Sequence, residues 1–178
     1  MLFNTDMVRA ILAGTKTVTR RAIKPQPDKR LTEGNGRDIM AAACAPYKPG
    51  DILYVRETWA ATPNGQDYLY RADADGNAVK DRSGNWHVPK WRPSIHMPAE
   101  AARIFLRVTA VRVERLQEID GAGIKAEGTE GKFGATRGAF ANLWNSTIKP
   151  TEHAAFGWMA NPWVWVIEFE RCERPKEG

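Results

Sequence analysis

The chain predicts a small mixed β-barrel whose ends are plugged by short helices, folded as a single domain over residues 1–178. Three observations carry this expectation. Stretches of strand-forming residues at 52–59, 68–71, 103–116 and 163–170 dominate the sequence. The helical stretches between them are short. A length of 178 residues at 43% hydrophobic supplies one well-buried core and is short for two. Closure into a barrel also removes the open edges that such apolar strands would otherwise present.

The N-terminal segment comes first. Met7, Val8, Ile11 and Leu12 recur on one helical face. Asn4, Thr5 or Asp6 can cap the start, and Gly14 suits the left-handed residue after the last turn. The chain then turns β-branched at Thr15, Thr17, Val18 and Thr19, which favours an extended strand. Alternation places Thr15, Thr17 and Thr19 on one side and Lys16 on the other, so Lys16 and Thr19 meet only where the backbone turns or bulges. Lys16, Arg20, Arg21 and Lys24 put four cations into nine residues.

Residues 22–50, with Pro25, Pro27, Pro46 and Pro49, read as an inserted excursion with one short helix at 38–44. Pro49-Gly50-Asp51 is a turn leading into 52–59, expected as a strand with few breaks. A second insert, 60–97, holds the short strand at 68–71 and a polar tract at 72–90. Its run Asp73-Ala74-Asp75-Gly76 is too short for a calcium loop and lacks the later glutamate, so it reads as a solvated hairpin tip. The prolines within 91–98 argue against helix there. The long strand 103–116 alternates with burial on both faces over part of its length. A short helix at 119–127 stops at Gly128, and another within 133–145 puts Phe140, Leu143 and Trp144 on one face. The strand at 163–170 closes the chain. No internal repeat or low-complexity tract interrupts this order.

The net charge of +5 and a pI near 9.4 suit anionic partners such as nucleic acid or nucleotides. Seven tryptophans fit either barrel packing or stacking on an aromatic ligand. No apolar run is long enough to span a bilayer and no leader is visible at the start, so a cytoplasmic protein with no membrane partner is expected. Cys44 and Cys172 read as two reduced thiols. His87, His96 and His153 lack metal-ligand spacing, so neither a metal nor a cofactor is expected.

A threonine hydroxyl is a poor nucleophile unless a base lies within hydrogen-bond reach. Lysine can be that base when burial or nearby cations depress its pKa, and Arg20 and Arg21 are such cations. Taken alone, the stretch fits a basic, solvated loop.

Five segments, 11–21, 50–59, 98–115, 126–128 and 161–169, taken in order, resemble the ASCH-domain family, whose fold is a PUA-like β-barrel. The shared order is helix, glycine and Lys-Thr-x-Thr, a Gly-Asp strand, a long strand, a helix ending Glu-Gly, and a terminal strand. The longer loops and the Asn-Pro-Trp run at 161–163 are similar to the phage-associated and metagenomic branch. Small bacterial members are amidohydrolases that remove the acyl group from N4-acetylcytidine, with a catalytic lysine and threonine in Gly-x-Lys-Thr-x-Thr. The resemblance therefore implies those roles for Lys16 and Thr19. It places the catalytic glutamate, eight residues after the apolar anchor Ile119, at Glu127. This chain departs from those members in its greater length and in its two inserts, 22–50 and 60–97.

In that scheme Thr19 attacks the acyl carbonyl. Either Lys16 is the base and Glu127 orients it, or Lys16 stays charged against the oxyanion and Glu127 is the base; both assignments stand at this point. Arg21, Arg56, Glu57, Trp59 and Asn161 are the expected substrate contacts. Their competing readings are an Arg56–Glu57 ion pair, packing for Trp59, and structural roles for Arg21 and Asn161, the latter as a turn residue before Pro162. The expected partner is a small nucleoside or nucleobase. The alternative is an RNA-binding PUA-like module or an ASCH-type ribonuclease, with the basic stretch on phosphates and affinity falling steeply with salt.

Overall fold

The computed structural model describes residues 1–28, 32–129 and 134–175. In chain order its regular elements are α1 (Thr5–Leu12), β1 (Val18–Ala22), α2 (Gly36–Cys44), β2 (Ile52–Tyr54), β3 (Trp59–Ala61), β4 (Tyr68–Tyr70), β5 (Val79–Lys80), β6 (Trp86–His87), β7 (Phe105–Arg115), α3 (Gly121–Ala126), α4 (Arg137–Thr147), α5 (His153–Phe156) and β8 (Trp163–Cys172). Antiparallel strands and short helices are thus the coarse architecture, as the composition predicted. The chain divides into two compact units. One comprises Met1–Leu12, Ile52–Leu106 and Arg171–Gly178; the other comprises Ala13–Asp51 and Arg107–Glu170.

The second unit is built on β1, β8 and most of β7. β1 pairs antiparallel with β8, Val18 opposite Glu168 and Ala22 opposite Val164. Alternation along these strands sends Val18, Val164 and Val166 to one face, where they meet Leu116, Ile119, Ile124, Phe140 and Trp144. Each such side chain taken from water contributes about 1.5–3 kcal/mol. The helices that cover this face are fixed at their starts. Asp120 accepts from Gly123 N at 2.7 Å to cap α3, and Thr136 accepts from Ala139 N at 3.1 Å to cap α4. Trp144 Nε1 is satisfied by Phe156 O at 2.8 Å.

The first unit packs α1 and two short hairpins. Asn4 Oδ1 accepts from Met7 N at 2.9 Å and caps α1, which buries Val8 and Ile11. β3 pairs with β4, Trp59 opposite Tyr70, and β5 pairs with β6, Val79 opposite His87. β7 begins in this unit beside β2, with Val55 N donating to Ile104 O at 2.9 Å, and continues in the second unit beside β8. Within the second unit the strand order is β1-β8-β7.

The strand expected over 52–59 is instead two strands. After Val55 the backbone changes partners: Arg56 N donates to Met1 O at 2.7 Å, and Phe3 N donates to Arg56 O at 3.2 Å. Backbone groups taken by the N-terminal segment cannot extend a ladder with β7. The proline-rich stretch after residue 91 forms no α-helix, but Ser94–His96 makes one 3₁₀ turn. The helix predicted from residue 119 starts at Gly121 because Asp120 is its cap. Phe133, expected within the next helix, lies outside the described residues; that helix runs over Arg137–Thr147, and Phe140, Leu143 and Trp144, expected on one face, are all buried. Among the described residues no helix is long and apolar enough to cross a membrane. Cys44 and Cys172 are free thiols.

Asn161 ends the 3₁₀ turn Trp158–Ala160 in the left-handed region, at φ 46° and ψ 56°. Its Oδ1 accepts from Gln117 N at 2.8 Å and its carbonyl accepts from Arg115 Nη1 at 2.9 Å. Asn tolerates this conformation better than other non-glycine residues. Asn161→Ala should cost about 1–3 kcal/mol in urea unfolding, and Asn161→Gly should restore the backbone share while leaving Gln117 N without its acceptor. An unchanged unfolding midpoint for the alanine variant would contradict this account.

Candidate active site: a buried lysine–glutamate pair

The Lys16 segment is held from both sides by backbone bonds. Thr17 N donates to Ala126 O at 2.9 Å, and Thr17 O accepts from Phe169 N at 2.9 Å. Lys16 and Glu127 form an isolated antiparallel bridge at this point. Glu127 is the C-cap of α3, and Gly128, at φ 75°, ends the helix behind it. Lys16, Val18 and Arg20 share the strand face that looks toward α3. Val18 packs into the core with Ile124, while Lys16 and Arg20 both reach Glu127.

Lys16 Nζ lies 2.7 Å from Glu127 Oε2, 3.0 Å from Glu127 O and 2.8 Å from Val18 O. Its side chain is 0% exposed and that of Glu127 is 5% exposed. Arg20 Nη1 takes the other carboxylate oxygen of Glu127 at 3.2 Å, and Arg20 Nη2 contacts Glu114 Oε2 at 3.3 Å. Glu114 in turn binds Arg112, which also pairs with Glu168. Charges of alternating sign thus run Lys16, Glu127, Arg20, Glu114, Arg112, Glu168, from a fully buried ammonium to partly exposed groups.

Burial pushes the Lys16 pKa below its ordinary 10.5. The Glu127 carboxylate opposes that shift, and the positive charges of Arg21 and Arg20 add to it. Arg21 is likewise lowered by burial, against the pull of Glu127 and Tyr47. Among the described residues Nζ donates to three acceptors, as many as an ammonium has hydrogens. The arrangement holds a proton on Lys16 while weakening its grip, with an acceptor oxygen one hydrogen bond away.

The structure brings Lys16 and Glu127 together; Thr19 lies on the same strand, β1, with its side chain on the opposite face. Thr19 is 3% exposed, faces Ile167 across the ladder, and follows directly on the Val18 carbonyl that accepts from Lys16. Among the described residues no hydrogen bond joins its hydroxyl to Lys16 or Glu127, and alternation turns its side chain from the face of Val18 and Arg20. Arg21 belongs to this cluster through its electrostatic coupling to Lys16 and Glu127. Asn161 is committed to Gln117 and Arg115.

Arg56, Glu57 and Trp59 belong to the first unit. Glu57 is 1% exposed, and both its oxygens are held by Arg103, at 2.9 and 3.0 Å, rather than by Arg56. Burial raises the Glu57 pKa above its ordinary 4.5, with Arg103 opposing. Arg103 also binds Asp73, so this is a closed triad. Arg56 reaches Tyr54 Oη at 3.1 Å. Trp59 is buried edge-to-face on Tyr68, with Arg92 over its ring at 5.2 Å. Among the described residues no three His, Cys, Asp or Glu side chains converge as metal ligands would.

Sequence reasoning set Arg20 beside Lys16 as a cation that depresses its pKa but missed its bond to Glu127, and it passed over Glu114, Arg112 and Glu168. A signal for Arg20 existed, since it lies four residues after Lys16 and shares its strand parity.

Removing one partner of a buried pair leaves an uncompensated charge. Glu127→Ala should therefore cost about 3–5 kcal/mol in urea unfolding, and pairing it with Lys16→Met should return part of that loss. The pH dependence has a definite sign. Between the lowered folded value of Lys16 and 10.5 the unfolded chain binds more protons, so this group's contribution to stability rises with pH across that window. Lys16→Met should abolish that rise, as unfolding midpoints at neutral and alkaline pH would reveal. Compared with known proteins, the chain matches no family model, no curated protein and no solved structure.

Proposed function

We propose that this protein is an amidohydrolase that cleaves the N4-acyl amide of acylated cytosine or cytidine, releasing the cytosine base or nucleoside and a carboxylic acid, on an ASCH-type PUA-like fold. The observation that carries the reading is the 2.7 Å contact between a fully buried Lys16 and Glu127. Buried ion pairs contribute little net stability compared with apolar side chains of similar volume. A lysine whose pKa is lowered by burial, beside a carboxylate that can take its proton, suits acid–base work.

In this scheme, which requires the Thr19 hydroxyl to turn within hydrogen-bond reach of the pair, Thr19 Oγ1 bonds to the acyl carbon and its proton passes to the Lys16–Glu127 pair. The C–N4 bond breaks, and the pair returns a proton to the departing amine. Water then attacks the acyl-threonine ester, giving the carboxylic acid and free Thr19. Arg21 supplies positive charge near the developing oxyanion. Each step uses the chain's own groups and water, and the pair serves as the proton store throughout.

The RNA-binding alternative draws on the same cations as a phosphate strip. Lys16 and Arg20 are instead buried against Glu127, and Lys24 pairs with Glu152 at 2.7 Å. That pairing weighs against a broad free basic strip in this stretch.

The test is a panel of N4-acyl cytidines and cytosines, with product release followed by chromatography. Wild type should release cytidine from at least one. Thr19→Ala and Lys16→Ala should remove detectable turnover, and Glu127→Gln should slow it by about 10²–10⁴-fold. The rate should climb with pH as the pair sheds its proton, with a midpoint below 10.5. Wild-type protein that hydrolyses no member of the panel would end the proposal.

A further inference from the structure

The first unit carries a groove of about 790 Å³ that the hydrolase reading does not use. Its floor is Ala60, Ala61 and Leu69; its walls are the β6 residues Trp86 and His87 and the segment 88–93. That segment, Val88-Pro89-Lys90-Trp91-Arg92-Pro93, is tied to β3. Arg92 N donates to Trp59 O at 2.7 Å, and Trp59 N donates to Arg92 O at 3.2 Å. The wall is therefore fixed by the sheet rather than by its own side chains.

Two features define what the groove would take. The first is aromatic. Trp86 is 59% exposed, a large indole left open on a two-residue strand, and Trp91 lines the same groove. The second is charge. Among the described residues, every ionisable side chain lining the groove is basic, namely His87, Lys90 and Arg92, and no carboxylate lines it. Lys80 Nζ sits over the Trp86 ring at 4.9 Å, placing a further cation against that indole. The nearby carboxylate of Asp81 is paired with His87 at 2.8 Å.

Indole faces interleaved with exposed cations suit a strand whose bases stack and whose phosphates are neutralised. An acidic peptide would satisfy the cations and leave the indoles unused. A duplex would keep its bases stacked on each other and away from the tryptophans. The volume lies in the upper part of the range for ligand sites, about 300–1,000 Å³. We infer that this groove binds single-stranded nucleic acid, with bases on Trp86 and Trp91 and backbone phosphates on Lys90 and Arg92. The inference is independent of the Lys16–Glu127 chemistry and stands or falls separately.

The test uses the full chain and a fluorescently labelled oligouridylate or oligothymidylate of about ten nucleotides, within the span one such binding fold covers. Anisotropy titrations should show saturable binding. Trp86→Ala should weaken it by about 5- to 150-fold, the equivalent of one lost base stack. Lys90→Ala with Arg92→Ala should weaken it and reduce the log–log salt slope by about 1.4, at 0.7 per phosphate contact. These side chains are exposed, and an unchanged far-ultraviolet circular dichroism spectrum confirms that the variants stay folded. Wild type that does not bind the strand, variants that bind as wild type does, or equal competition by duplex, by uridine monophosphate or by oligoglutamate would each overturn the inference.

Discussion

A lysine ammonium with no exposure to water must find its compensation inside the protein, and here that compensation is Glu127. Isolated burial of such a charge costs many times what a marginally stable domain can lose. The chain meets this demand with a local device: a six-residue helix, capped at Asp120 and stopped at Gly128, whose C-cap residue Glu127 delivers both a carboxylate and a backbone carbonyl to Nζ. The bonds of Thr17 to Ala126 and Phe169 then lock the lysine strand against that helix. The apolar cluster of Val18, Ile124 and Val164 lies alongside on the same face, so the charged site and the core are set by one register.

Each unit contains a buried carboxylate, and the two are handled differently. Glu57 is clamped by both arms of Arg103, which is clamped in turn by Asp73. A guanidinium does not surrender its proton in a protein, so that triad fixes geometry and moves nothing. Glu127 faces a lysine on one oxygen and an arginine on the other. Lysine can surrender its proton, and burial with Arg20 and Arg21 nearby makes it readier to do so. Arg20 keeps a positive charge on Glu127 through such a transfer. The difference between the two buried carboxylates is therefore the chemistry of the cation rather than the depth of burial, which is why the proposed hydrolase chemistry is assigned to the second unit.

The sequence made the helix around Val8 and Ile11, the long strand of β7 and the Trp163 strand legible, because each repeats its apolar period over several residues. It also put Lys16 and Glu127 forward as partners, through a resemblance that depends on the order of short motifs. The break after Val55 was not legible, since what interrupts that strand is Met1 and Phe3, more than fifty residues earlier. Arg103, the partner of Glu57, lies forty-six residues beyond it with no local pattern to announce the pairing. Alternation correctly warned that Thr19 and Lys16 take opposite sides of an extended chain. Lys16 folds back so that Nζ donates to the Val18 carbonyl, and among the described residues no hydrogen bond joins it to the Thr19 hydroxyl.

The basic composition becomes more informative once its charges are placed. A net charge of +5 suggests a diffuse positive field, yet many of the cations are already engaged. Arg37 and Arg115 lie over Trp163, Arg71 over Trp91 and Arg137 over Trp158. Lys16, Arg20, Arg103 and Arg112 are paired with carboxylates. Much of the excess charge, with the high tryptophan content, therefore serves cation–π contacts and ion pairs within the fold. Net charge alone consequently says little about partners. What singles out the groove at Trp86 is local: its cations line a wall on which, among the described residues, there is no carboxylate, next to an indole that the fold leaves exposed.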